Sequence, residues 1–445
     1  MPGVVVLGGG STGEHFCGAL RRLDPEVEIT LVETALVGGE CSYFACMPSK
    51  TLLRAPELRH AASRAPGVAT GTLDTEAIFA WRDWQVSDWD DAGQVDWLDG
   101  QKVRLVRGKA RVARPGVVEA GGEELEYDRL VVATGSSPVS PPVEGLDGVE
   151  AWTTKEATSS HEVPASLIVL GGGVAGCELA QLYRRLGSEV TIVQRGERLL
   201  PRVDRDAAAL LQTAFEEEGI RVVLGSQTRS VSGVRLEPDT AVRLELADGS
   251  ELTAQQLLVS TGRRPNVHDL GLEQLGVELS RRGIEVDDGL RAAANVWAIG
   301  DCTGVALFTH VGKYQARIAA RTVAGGTAKA DYRAIPAVAF TDPQVAMVGD
   351  TERDGLVTAR WEMTATPRAS TYEKPRRPGF VKIAADPERG VVVGAVAIGP
   401  EAGEWCQQLT LAIRAEVPVD VLRDVIQPYP TFSEAVFFAL QDLPL

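Results

Sequence analysis

Two cysteines, Cys41 and Cys46, stand five positions apart in the stretch Gly38-Gly39-Glu40-Cys41-Ser42-Tyr43-Phe44-Ala45-Cys46-Met47-Pro48-Ser49-Lys50. A Gly-Gly turn precedes them and a proline follows. At a helix start, backbone N–H groups and the helix dipole favour thiolate over thiol. Thiolate is the nucleophile of thiol–disulfide exchange, so the pair is expected to cycle between dithiol and disulfide. Lys50 lies four residues after Cys46 and shares its face on a helix, where a cation favours thiolate. Cys17, Cys177, Cys302 and Cys406 are isolated and read as small buried residues. No Cys/His spacing resembles a zinc site, so no metal ligands are expected.

The elements before this stretch explain its setting. Val4-Val5-Val6-Leu7 is a short apolar, β-branched run of the kind a buried parallel strand requires. Gly8-x-Gly10-x-x-Gly13 follows at once, then a predicted helix from Glu14 to about Leu23 and a strand Ile29–Val32 that ends in Glu33. Glycines in this arrangement let backbone N–H groups approach a pyrophosphate at a helix N-terminus. The Glu33 carboxylate is placed to accept hydrogen bonds from ribose hydroxyls. The pattern recurs: Leu167–Leu170, then Gly171-x-Gly173-x-x-Gly176, a helix to about Leu186 and a strand Glu189–Val193. One such fingerprint is weak evidence; two, each between a strand and a helix, are strong. The chain is expected to hold two dinucleotides, and FAD with NAD(P) is the usual pair.

The second ribose strand is followed by Gln194 where an NAD site would want a carboxylate, and Arg195 comes next, with Arg198 and Arg202 close by. Arginine offers planar donors suited to a 2′-phosphate, so NADPH is the expected cofactor, with NADH possible. Leu130–Ser136 and Leu257–Asn266 look like strands that return the chain to a domain border, and Val296–Asp301 like a third strand ending in Gly-Asp. From about Ala334 the glycine fingerprints stop, and strands at Ala337–Phe340, Phe380–Ile383 and Val391–Ile398 with two helices suggest an α+β domain. The expected organisation is α/β: residues 1–145 and 266–333 form a discontinuous FAD domain, 146–265 an NAD(P) domain, both Rossmann-like, and 334–445 an interface domain. Trp81, Trp84, Trp89 and Trp97 read as packing surface.

The chain has 445 residues and a net charge of −16, which argues against nucleic acid or an anionic membrane as partner. No apolar run approaches the ~20 residues of a membrane helix, and the start Met1-Pro2-Gly3 carries no cationic leader. Six cysteines are too few for a secreted disulfide scaffold, so the cytoplasm is expected.

Over nearly its whole length the chain resembles the pyridine nucleotide-disulfide oxidoreductases, the flavoprotein disulfide reductases that include dihydrolipoamide dehydrogenase and mercuric reductase. The resemblance rests on Cys-x4-Cys-x-Pro-Ser-Lys, both fingerprints, Ala133-Thr134-Gly135-Ser136, Thr261-Gly262-Arg263-Arg264-Pro265-Asn266, Ala298-Ile299-Gly300-Asp301, Phe340-Thr341-Asp342-Pro343-Gln344 and Pro430-Thr431-Phe432-Ser433-Glu434. It implies FAD, NAD(P)H, and a homodimer whose active sites draw on both subunits. It makes Cys46 the thiol beside the flavin and Cys41 the one that meets substrate. Glu178 matches the partner of Lys50, and Asp301 the carboxylate on the flavin ribityl chain. Thr134, Gly135 and Gly262 fall within the matched motifs, and they are expected to bind cofactor together with Gly39 of the Gly-Gly turn before Cys41.

The resemblance fails at one place. The family's disulfide reductases usually carry a catalytic histidine before the Pro-Thr of the last motif, and this chain has Tyr429 there. A model histidine titrates near ~6.5 and a tyrosine near ~10, so Tyr429 cannot serve as a general base near neutrality. Glu434 keeps its place without the imidazole it would orient. Three readings stay open: a reductase of a small disulfide or other acceptor through Cys41, an NAD(P)H oxidoreductase serving a quinone, metal ion or second nicotinamide, and a flavin-bound scaffold without turnover.

Overall fold

The computed structural model describes residues 3–236 and 239–445. The backbone divides into two compact units: Met1–Ser49, Ala80–Val139 and Gly262–Asp331 form one, and Lys50–Phe79, Ser140–Thr261 and Tyr332–Leu445 the other.

In the first unit a sheet runs in the order Arg291–Ala293, Val296–Ala298, Glu123–Val132, Gly3–Leu7, Ile29–Glu33, Val103–Arg107. Its pairings are parallel except at the Arg291–Ala293 edge. Gly3–Leu7 is central, and Val4 to Leu7 are all buried, as a strand covered on both faces requires. Helices Ser11–Leu23 and Thr309–Val323 contribute Phe16, Leu20, Ala316 and Ala320 to the core on one face. An antiparallel meander, Ala110–Arg114 and Val117–Ala120, joins the long strand Glu123–Val132.

The second unit holds a parallel sheet ordered Arg221–Val223, Glu189–Val193, Ser166–Leu170, Gln256–Val259, and a separate antiparallel sheet of Thr228–Leu236, Asp239–Leu246 and Glu251–Ala254. It also holds a five-stranded antiparallel sheet ordered Pro336–Ala339, Gln344–Gly349, Val391–Gly399, Phe380–Asp386, Val357–Glu362. The fold class is α/β with two dinucleotide-binding sheets and a C-terminal α+β portion. Among the described residues no helix is long and apolar enough to cross a membrane.

Several expectations need correction. Both fingerprint helices begin two residues before the third glycine, at Ser11 and Val174, with Gly10 and Gly173 as N-caps. Gly13 and Gly176 therefore lie inside the first turn. The C-terminal sheet has two further strands, Gln344–Gly349 and Val357–Glu362, and the two expected helices are five short ones. Arg360 and Glu362 hydrogen-bond each other on the exposed side of Val357–Glu362, which breaks the apolar pattern a strand would show. On the helix Thr75–Gln85 Trp81 is 42% and Trp84 72% exposed, and Trp97 is 40% exposed. Cys17, Cys177, Cys302 and Cys406 are buried, as expected.

Candidate active site

In the first unit Cys41 sits in the short helix Gly39–Tyr43, and Cys46 is the first residue of the helix Cys46–Ser63. The segment is pinned to the first fingerprint by the Gly38 N–H, which donates to Gly9 O at 2.8 Å. Gly39 has φ +65°, and a Cβ there would lie 2.7 Å from Gly10 Cα, so only glycine permits this approach. No disulfide joins the two cysteines. The Cys46 sulfur lies 3.4 Å from Thr309 Oγ1. Cys41 hydrogen-bonds to Cys46; this bond, then burial, then the charge on Cys46 push the Cys41 thiol far up.

The first fingerprint is shaped for a pyrophosphate. Gly8 follows the central strand, and a Cβ on Gly13 would fall 2.0 Å from Gly8 O, which fixes glycine there. Gly10 caps the helix Ser11–Leu23 without any side-chain hydrogen bond to its first turn. Gly173 leaves Val174–Leu186 bare in the same way. Asp204, by contrast, caps Arg205–Glu217, and Thr153 forms a capping box with Glu156. Helix N-termini left without side-chain partners fit the phosphates of two dinucleotides.

Glu33 Oε2 accepts from the Gly9 N–H at 2.6 Å, and Oε1 from Ala35 N at 2.8 Å. In the second unit Gln194 Oε1 accepts from Gly172 N at 3.1 Å, so a neutral amide does there what a carboxylate does in the first. A Cβ on Gly176 would lie 2.1 Å from Gly171 O, repeating the Gly13 constraint. Arg195 is exposed and makes no hydrogen bond or ion pair among the described residues, while Arg198 donates to Pro201 O at 3.0 Å. Arg202 is exposed.

Asp301 is half-buried, and its desolvation raises its carboxyl against the opposing pull of the Ser136 hydrogen bond and Arg263. Ser136 Oγ donates to it at 2.6 Å; Arg263 Nε donates to Ser136 at 2.8 Å and its other end reaches Glu40 at 2.5 Å. Thr134 donates to Asn266 O at 2.5 Å, Asn266 N to Gly135 O at 3.0 Å, and Val139 N to Gly262 O at 3.0 Å. Sequence reasoning passed over Arg263, Asn266 and Thr309. The first two stood inside a quoted motif, but nothing local to Thr309 signals its place beside Cys46.

In the second unit Lys50 Nζ donates to Glu178 Oε2 at 2.6 Å and lies 4.8 Å from the Phe340 ring centroid. Glu178 Oε1 accepts from Phe340 N at 2.8 Å. Tyr429 is 74% exposed and has no hydrogen bond or ring contact among the described residues. Glu434 is buried and accepts from Thr431 N at 3.1 Å. Tyr429 and Glu434 are therefore not joined. His310 stacks on Phe308, with ring centroids 5.1 Å apart. Among the described residues no three His, Cys, Asp or Glu side chains form a group that could hold a metal ion.

Residues 2–327 match the family described as Pyridine nucleotide-disulphide oxidoreductase, and residues 335–439 match its dimerisation domain. A dihydrolipoyl dehydrogenase from Thermus scotoductus is 36% identical over 456 residues, covering 99% of this chain and 97% of that protein. A mercuric reductase from Acidithiobacillus ferrooxidans is 37% identical, covering 97% of this chain and 81% of its own length. Among solved structures, LpdA from Mycobacterium tuberculosis superimposes with a TM-score of 0.89 at 29% identity, covering 99% of each chain. The HOCl-induced flavoprotein disulfide reductase RclA from Escherichia coli, solved as a Cu(II) complex, gives 0.85 at 25% identity, again over 99% of each chain.

Proposed function

The chain belongs to the pyridine nucleotide-disulphide oxidoreductases, enzymes that use FAD, NAD(P)H and a disulfide redox centre, and we propose that its Cys41–Cys46 dithiol delivers NADPH electrons to a small thiophilic acceptor, a soft metal cation. FAD, when bound, relays the electron pair of the nicotinamide hydride to sulfur. Gly8, Gly10, Gly13, Glu33, Gly39, Thr134, Gly135, Asp301 and Gly262 hold the flavin nucleotide. Gly171, Gly173, Gly176, Arg195 and Arg198 hold NADPH. Cys46 faces the flavin, and Cys41 is the thiol that meets acceptor. Lys50, held by Glu178, supplies positive charge. In each turnover the dithiol loses two electrons and two protons and closes to the disulfide; the protons go to solvent, and one Hg(II) or two Cu(II) ions take the two electrons.

One observation carries the choice of acceptor. Tyr429 stands where a proton-accepting imidazole would be, exposed and unbonded among the described residues, and the Glu434 carboxylate is engaged by Thr431 N. A soft cation that binds the two sulfurs itself drives their protons off to solvent, because metal binding lowers a thiol's pKa, whereas reduction of a disulfide needs a positioned group to manage protons at sulfur. The mercuric reductase relatives and the Cu(II) complex of RclA are consistent with this. The dihydrolipoyl dehydrogenase relative favours a second reading, a low-mass disulfide. The test is NADPH oxidation with Hg(II), Cu(II), lipoamide, glutathione disulfide and a quinone in parallel. Metal-dependent turnover that Cys41→Ser abolishes is expected. Quinone turnover that survives Cys41→Ser, with none on metals, overturns the proposal.

The working form is a homodimer with active sites shared between subunits. Exposed Leu411, Val421, Val425 and Ile426 in the dimerisation domain support this. Its place is the cytoplasm, where a redox dithiol can be kept in cycle.

A further inference from the structure

Glu33 and Arg107 are the last residues of two neighbouring parallel strands, Ile29–Glu33 and Val103–Arg107, and stand opposite each other in register. The carboxyl ends of such strands are where an open α/β sheet takes its nucleotide. The loop after Glu33 is held there through its backbone. The Arg107 guanidinium donates through Nη1 to Ala35 O and through Nη2 to Asp91 Oδ2, the latter at 2.5 Å. The same Asp91 oxygen accepts from Val37 N at 2.7 Å. Gly108 N donates to Glu33 O at 3.0 Å. Burial alone would raise the Asp91 carboxyl, but the hydrogen bonds from Arg107 and Val37 outweigh it and hold it low.

Two further features mark Asp91. It is the N-cap residue of the helix Ala92–Gly100, yet its side chain makes no capping bond to that helix and turns to the loop instead. Shortly before it, Ser87, Asp88 and Trp89 have φ +51°, +50° and +58°. Non-glycine residues persist in this left-handed region only where the surrounding fold over-determines them.

We propose that Asp91 and Arg107 are positioning residues for FAD: their clamp on Ala35 and Val37 fixes the loop beside the Glu33 carboxylate, so that the ribose site stands formed before the nucleotide arrives. The inference rests on the reading of Glu33 as the ribose carboxylate. A site formed only part of the time binds more weakly in proportion, so loss of the clamp is read as loss of affinity.

The test uses the FAD-loaded enzyme in wild type, Asp91→Asn, Arg107→Met, the double variant and Glu33→Ala. Released FAD is followed by its fluorescence, on serial dilution to give Kd and on heating, beside far-UV circular dichroism for unfolding. Arg107→Met should raise Kd by about tenfold or more, and Asp91→Asn, which keeps an acceptor for Val37 N, by about threefold, from lost charge-assisted hydrogen bonds. On heating, both variants should release FAD further below their unfolding temperature than the wild type does. The double variant should be no worse than Arg107→Met, because the two changes break one clamp. Wild-type Kd in either single variant, release and unfolding temperatures lowered by equal amounts, or a double variant that multiplies the two losses overturns the inference. Should Arg107→Met fail to fold, Arg107→Lys, which cannot bridge two acceptors, should weaken FAD as Asp91→Asn does, and wild-type affinity there overturns the inference. Failure of the underlying reading looks different: Glu33→Ala then holds FAD as tightly as the wild type.

Discussion

The Lys50 ammonium lies 2.6 Å from the Glu178 carboxylate, and the two side chains are 35% and 4% exposed. Glu178 is the fixed member, because its second oxygen is held by the Phe340 N–H. Lys50 is the member whose charge can serve chemistry.

Removing that charge should slow the reductive half-reaction without unfolding the chain. Lys50→Met is expected to lower the rate of flavin reduction by NADPH at least tenfold in stopped-flow. Glu178→Gln can still accept from Phe340 N and should be milder. Glu178→Ala should in addition destabilise by about 1–3 kcal/mol, from the unpaired Phe340 N–H and the lost charged hydrogen bond. Wild-type reduction rates in Lys50→Met would refute the role.

The roles of the two sulfurs are separable by colour. Cys46 lies at a helix start, and Cys41 hydrogen-bonds to it. Cys46→Ser should abolish the long-wavelength charge-transfer band of the reduced enzyme. Cys41→Ser should show a permanent band in the oxidised enzyme. A missing band in Cys41→Ser at neutral pH reverses the assignment.

Nicotinamide choice should turn on Gln194 and Arg195. Gln194→Glu keeps an acceptor for the Gly172 N–H but adds a negative charge where a 2′-phosphate would sit. It should shift kcat/KM toward NADH. Arg195→Ala should cost about 1–3 kcal/mol with NADPH and little with NADH. Equal kcat/KM for both nucleotides in the wild type removes the basis for this clamp.

Tyr429 should limit thiol acceptors specifically. Tyr429→His is expected to raise turnover with dihydrolipoamide at least tenfold, within the ~10²–10⁴-fold that a positioned base contributes, and to leave metal-ion turnover unchanged. Fast dihydrolipoamide turnover in the wild type, with no gain in the variant, returns the protein to the ordinary disulfide reductases.

Asp342 should matter for stability rather than turnover. Burial alone would raise its carboxyl, but Arg377 and Arg185 outweigh burial and hold it low. Arg185 reaches it at 2.8 Å and Glu218 at 2.7 Å, and Glu373 joins Arg377 at 2.8 Å. With the folded value depressed, this stabilisation is complete above the unfolded value near ~3.9 and disappears as pH falls through the folded value. Asp342→Asn should therefore cost about 3 kcal/mol in urea at pH 7, by leaving buried guanidinium groups short of charge. The difference from wild type should shrink in acid below about pH 4. A loss that is the same at pH 7 and in strong acid contradicts this account.

What the sequence determined by itself was everything encoded over a few residues. Gly8, Gly10 and Gly13 announce a phosphate loop because strand, turn and helix follow one another directly, and Gly171, Gly173 and Gly176 repeat it. The Cys41–Cys46 spacing, and Lys50 one helical turn later, are local for the same reason. The C-terminal sheet was only partly legible, because Val357–Glu362 exposes charged Arg360 and Glu362 and reads as no clear strand. Lys50 and Glu178 stand 128 positions apart, so only resemblance joined them before the fold did. Tertiary structure alone decided that Thr309 touches Cys46 across 263 positions, that Gln194 takes over the loop-holding role of Glu33, and that Asp342 is an anchor for two arginines. It also decided that Tyr429 is exposed with no hydrogen-bond partner among the described residues, while Glu434 is buried and accepts from Thr431 N. The physical reason is the same throughout. Turns and helix starts are set by backbone sterics over a handful of residues, whereas the pairing and ionisation of a side chain depend on burial and on charges that the folded chain brings from distant positions.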